Sequence, residues 1–175
     1  TSLLKAGGKT FAPARIIAKT GWTTDELETG IALAQSNDLL LPQYDFVSLL
    51  IGVNNQYRGR PVEQYKTEFE MLLQKAIRFA GNNAEHVVVV SIPDWGVTPF
   101  ANGRDREQIA TEIDAYNNAA KLVALQYKIH FIDITPWTRE AATDNTLLAA
   151  DGLHPSGKEY GRWAEKVAEF FKSKL

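Results

Sequence analysis

Residues 45–56 read DFVSLLIGVNNQ, an almost unbroken apolar run that ends in a glycine and two adjacent asparagines. A strand covered on one face alternates apolar and polar side chains, whereas a parallel strand covered by helices on both faces reads as a continuous apolar stretch. Residues 86–92, HVVVVSI, have the same character. Both are expected to be central strands, and the shorter runs Ala14 to Ala18 and Ile129 to Ile134 complete a set of four.

Helical spacing fills the intervals. Thr23 and Glu26 fit a capping box that opens a helix through Leu27, Ile31 and Ala34, and Pro61 suits the first turn of a helix carrying Tyr65, Phe69, Leu72 and Ile77. A third helix is expected from Arg106 to Tyr127, with Ile109, Ile113, Tyr116, Ala120 and Val123 on its inner stripe. A fourth is expected from Ser156 to Lys174, with Tyr160, Trp163, Val167 and Phe170 facing inward. Strand and helix thus alternate, which argues for an open parallel α/β sheet with right-handed crossovers. Such sheets place their sites in loops beyond the carboxyl ends of the strands.

The 175 residues suit one domain, which at this length buries roughly 70% of the surface its unfolded chain exposes. A formal net charge of −2 and scattered Lys and Arg residues argue against a nucleic-acid partner. No apolar run approaches the ~20 residues of a membrane-spanning helix, and no signal-peptide pattern is visible. The chain contains no cysteine, so it carries neither disulfides nor thiolate metal sites, and its compartment is left open.

Three loops at the carboxyl edge carry polar residues with chemical potential: Thr20-Gly21-Trp22, Gly52-Val53-Asn54-Asn55-Gln56, and DGLHP from Asp151 to Pro155. In the last, a carboxylate and an imidazole stand three residues apart beside a turn-forming glycine. An Asp accepting from one ring nitrogen fixes the tautomer and leaves the other nitrogen to take a proton. Taken alone, the same string also fits an Asp-Gly turn followed by a helix start.

Together the IGVNNQ and DGLHP strings resemble the SGNH hydrolases, the GDSL-like lipases and acylhydrolases. The resemblance covers most of the chain. It implies a flavodoxin-like three-layer α/β/α sandwich and a serine esterase or acylhydrolase that works through an acyl-enzyme without a cofactor. It further implies that His154 is the general base, that Asp151 orients it, and that Gly21 and Asn54 donate to the oxyanion. The family's third block usually reads Gly-x-Asn-Asp, and Asn55 replaces the final Asp here. That change spares the donor and alters only local hydrogen bonding.

The family's Gly-Asp-Ser string, which holds the nucleophile at the end of the first strand, does not occur in residues 1–175. Ser2 stands too close to Ala14 for a turn, a helix and another turn, and residues 1–7 read better as the end of that helix. Ser36, Ser48, Ser91, Ser156 and Ser173 sit in helix, strand or helix-start positions without the motif's context. In the flavodoxin-like order 2-1-3-4-5 the first strand is central, and its loss leaves unpaired backbone groups at roughly 1–3 kcal/mol each. The expectation is therefore one SGNH-type domain, N-terminally incomplete over residues 1–175. An upstream segment, in a longer chain or on a separate one, would supply the central strand and the serine.

A phosphate- or nucleotide-binding flavodoxin-like module competes as a reading, although no Gly-rich phosphate loop or Walker lysine string is present. So does an acylhydrolase-like binding protein without a serine. No metal is expected, because Asp151 and His154 lack further ligands to complete a set of four. The substrate is expected to be a small-molecule, carbohydrate or lipid ester. His86 and His130 lie in or beside strands, where packing is the usual role. Trp22 and Trp95 adjoin the active-edge loops, where an aromatic packs into the core more often than it shapes a pocket.

Overall fold

The structure is a computed structural model that describes Leu3 and residues 11–175. Its first long helix, α1, spans Thr24–Ser36, and the Thr23 amide donates to Glu26 Oε2 at 2.9 Å in the expected capping box. The strands β1 (Val47–Leu49), β2 (Val87–Val90) and β3 (His130–Ile132) form one parallel sheet in the order β1-β2-β3. Between and after them run α2 (Val53–Tyr57), α3 (Val62–Phe79), α4 (Arg106–Gln126), α5 (Thr135–Arg139) and α6 (Gly157–Lys172).

The four consecutive valines of β2 are all buried, as a strand with helices on both faces requires. Val87 and Val89 join the larger core with Phe69 and Leu73 of α3 and Ile113 and Val123 of α4. Val88 and Val90 point the other way, into a second core with Trp163, Ala168 and Phe171 of α6. Each fully buried valine contributes on the order of 1.5–3 kcal/mol relative to exposure. Two cores on opposite faces of one parallel sheet make the flavodoxin-like three-layer sandwich. The expected inner stripe of α4 is buried at all five positions.

Two expectations fail. Ala14 to Ala18 forms no strand, and Ile16 is 76% exposed. A strand exists only when a neighbour completes its ladder, and no described residue pairs with this segment. Correspondingly, β1 pairs with β2 alone, and Ser48, opposite the fully buried Val88, is exposed. Tyr160 is the second failure: it is 48% exposed and meets Trp163 edge-on at 4.9 Å from outside the second core, whose α6 members are later residues. The reading of residues 1–7 as a helix end lies outside the described residues except for Leu3, which is helical.

Candidate active site

The DGLHP loop is built to hold an imidazole. Gly152 takes φ +64°, a conformation that favours glycine, and turns the chain back so that the amides of Leu153 and His154 reach Asp151 Oδ1 at 3.0 and 2.9 Å. The loop is pinned at both ends, by Ala149 N–H to His154 O at 2.8 Å and by Ser156 N–H to Leu147 O at 2.7 Å. Asp151 Oδ2 lies 2.6 Å from His154 Nδ1. These three hydrogen bonds, the backbone one from His154 foremost, hold the Asp151 carboxyl at about 2. An ionised carboxylate can only accept, so Nδ1 donates to it and Nε2 is the ring nitrogen turned away from Asp151.

His154 lines a cavity of 540 Å³ that Gly21 and Asn54 also line. Gly21 takes φ +86°, and its amide meets no backbone acceptor among the described residues. Its carbonyl accepts from Arg58 at 2.7 Å, which orients the peptide. Asn54 sits in the first turn of α2, behind Gly52 at φ +130°. A Cβ on Gly52 would come within 2.6 Å of the Tyr65 ring, so only glycine lets the chain turn here. One N–H of the Asn54 side chain donates to Trp22 O at 3.0 Å, and the other is left to meet a ligand.

Asn55 is fully buried and ties the same two loops together. Its Oδ1 accepts from Thr24 N at 3.1 Å and its Nδ2 donates to Thr24 Oγ1 at 2.6 Å. Because the threonine oxygen accepts from Asn55, its proton goes on to Glu68 Oε2. An Asp at position 55 would instead accept that proton. With Asn at position 55 the carboxylate of this network is that of Glu68, and the loops remain joined.

Trp22 and Trp95 both line the cavity while being largely packed. Trp95 Nε1 donates to Gln56 Oε1 at 2.7 Å. His130 stacks on Phe170 at 4.6 Å and His86 lies against Phe46 at 4.9 Å, both away from the cavity. Tyr57 and Phe100, which no periodicity marks, line it as exposed aromatics.

Among the described residues no serine lines the cavity. Ser91 is buried in hydrogen bonds to Asp133 and Thr135, and the Ser36 and Ser173 hydroxyls donate to carbonyls in their own helices. Ser156 caps α6. Two of the cavity's threonines are committed: Thr98 donates to Trp95 O at 2.7 Å and Thr138 to Thr135 O at 2.8 Å. No helix among the described residues is long and apolar enough to cross a membrane.

Solved structures share this architecture. A lipase/acylhydrolase from Enterococcus faecalis superposes with a TM-score of 0.65 at 20% identity, over 89% of this chain and 73% of the other. An acetylxylan esterase from Geobacillus stearothermophilus gives 0.63 at 18% identity, over 86% and 68%. A psychrotrophic esterase from Pseudoalteromonas sp., inhibited by monoethylphosphonate, gives 0.59 at 19% identity, over 89% and 74%. No curated protein matches the chain significantly. These identities are low enough that the likeness speaks for the fold alone. Residues 3–162, however, match the GDSL-like Lipase/Acylhydrolase family in sequence, and that span contains the Gly21, Asn54 and His154 loops. On that match over most of its length, the chain belongs to the GDSL-like lipase/acylhydrolase family.

Proposed function

We infer that the protein is a serine esterase that cleaves carboxylic esters through an acyl-enzyme. His154 Nε2 takes the proton of a serine hydroxyl as its oxygen attacks the ester carbonyl. Asp151 holds the ring and stabilises the imidazolium that forms. Negative charge developing on the carbonyl oxygen is met by the Gly21 amide and the second N–H of Asn54. The tetrahedral intermediate then expels the alcohol, which takes its proton from His154. Water, deprotonated by the same nitrogen, releases the acid.

The serine arrives, on this reading, at the end of a strand laid along the outer edge of β1. The support is physical. That edge carries no partner among the described residues, Ser48 of β1 is exposed, and the cavity that His154 lines is lined also by Ile17, Leu50 and Ile51. A parallel strand buried in such a sheet leaves no edge amides unpaired. Whether that strand precedes Thr1 in the same chain or comes from a separate one, it completes both the sheet and the site.

The observation that carries the esterase reading is the 2.6 Å contact between His154 Nδ1 and Asp151 Oδ2 at the rim of a cavity holding two free donors. His154→Ala in the full-length protein tests it on a simple acetyl ester. Turnover is expected to fall by more than the ~10²–10³-fold typical of losing one oxyanion donor. A near-normal rate discards the mechanism.

A further inference from the structure

The cavity has an aromatic wall that the proposed chemistry does not use. Tyr57, the last residue of α2, meets Trp95 edge-on with ring centroids 5.3 Å apart. Phe100 stands 6.1 Å from Tyr57 and 6.0 Å from Trp95. Trp95 is buried, but Tyr57 and Phe100 remain 43% and 44% exposed, and both line the cavity. Water gains little by contact with such rings, so an apolar or flat partner laid on them is stabilised.

The wall is coupled to the proposed base and to the oxyanion donor. Phe100 N–H donates to Gly152 O at 3.3 Å, inside the loop that carries Asp151 and His154. Tyr57 lies three residues, about one helical turn, beyond Asn54. A group resting on Tyr57 and Phe100 therefore lies alongside the reacting carbonyl.

Arg104 completes the feature. Its guanidinium carbon sits 5.3 Å from the Tyr57 ring centre and 5.5 Å from that of Trp95, and its Nη2 reaches the Tyr57 hydroxyl at 3.4 Å. Of the other cations near these loops, Arg58 is occupied by Gly21 O and Glu26 and Arg106 by Thr98 O and Asn102, while Lys19 lines the cavity away from these rings' ion contacts. No carboxylate among the described residues pairs with Arg104. Two rings thus shield one side of a guanidinium whose remaining donors are unspent. That fork matches the two oxygens of a carboxylate or phosphate.

Resting on the esterase reading for its place beside the reaction, we propose that Tyr57, Phe100 and Arg104 form the specificity edge of this site. They take an ester whose flat apolar part lies on Phe100 and Tyr57 and whose anionic oxygens pair with Arg104. The substrate class is an ester that also bears a carboxylate or a phosphate.

Binding tests this without any turnover. The indole N–H resonance of Trp95, assigned through Trp95→Phe, is followed in the full-length protein while benzoate, phenyl phosphate or uncharged benzamide is added. At least one anion is expected to bind about tenfold more tightly than benzamide, and Arg104→Gln to erase that advantage, as befits one charge-assisted pair. The tighter of the two anions assigns the source, carboxylate or phosphate. Phe100→Ala is expected to weaken all three probes. Benzamide binding as tightly as both anions, an Arg104→Gln protein that keeps the preference, or no shift with any probe overturns the proposal. Benzoate binding in a protein that hydrolyses no ester faults the esterase reading and leaves this one standing. Ester hydrolysis without anion preference does the reverse.

Discussion

The side-chain amide of Asn54 donates to the carbonyl of Trp22 across 3.0 Å, joining two loops separated by 32 residues. That bond spends one of the two amide protons and aims the other. Asn54 is therefore held in place before any ligand arrives, and a donor that needs no reorganisation during the reaction is worth most. Asn54→Ala is expected to lower the turnover of an acetyl ester by ~10²–10³-fold. Thermal unfolding should shift little, since the residue is only partly buried. An unchanged rate with an unchanged fold would remove Asn54 from the oxyanion site.

Asn55 raises a different expectation. With Asp at this position the Thr24 proton can satisfy either carboxylate but not both, and a buried negative charge faces the partly buried Glu68. Asn55→Asp is expected to destabilise the protein by about 1–3 kcal/mol, the usual cost of a mis-satisfied buried polar group. Adding Glu68→Gln should restore most of the loss, which a double-mutant cycle by urea unfolding reads directly. Additive losses would mean that Thr24 does not link the two positions.

Acid should weaken the fold through the carboxylates held below their ordinary range, Glu26 and Glu140 among them and three aspartates most of all. The Arg60 guanidinium holds Asp25 at about 2, the Thr146 hydroxyl holds Asp144 at about 2, and the backbone amide of His154 holds Asp151 at about 2. Each is lowered from an ordinary 3.8, so between these values the unfolded chain binds more protons than the folded one. The stabilisation is complete above about pH 4 and disappears as the pH falls through 2. All three side chains are close to half exposed, so the effect of each is modest. The urea midpoint should drop between pH 4 and pH 2, and Asp25→Asn should flatten part of that slope. A midpoint independent of pH in this range contradicts the assignment.

How far these features could be read in advance depends on what kind of signal carries them. HVVVVSI announced a doubly covered strand because burial on both faces leaves its mark on every residue, and Val87 to Val90 are all buried. Asp151 and His154 were legible because their geometry is local: three residues and one turn bring the ring to the carboxylate. Ala14 to Ala18 misled because its composition is that of a strand, and a ladder depends on a neighbour that composition does not report. Tyr160 misled because a helical stripe predicts an inward face without saying where the sheet ends beneath it. For Phe100 and Arg104 the sequence offers only the length of the Gly- and Pro-bearing stretch from Pro93 to Asp105, which suits a pocket wall, and for Tyr57 it offers nothing. Tyr57 ends the short helix α2 and the other two stand in one irregular loop, where exposed side chains follow no period.

The account's central claim is that His154 serves a serine standing at the edge of β1. A fluorophosphonate reagent, which reacts with an activated hydroxyl, followed by peptide mapping of the full-length protein, tests it most directly. The expected result is a single adduct on a serine outside residues 1–175, lost in His154→Ala. An adduct on a residue within 1–175, such as Thr20 at the cavity wall, or labelling that survives the loss of His154, would contradict it.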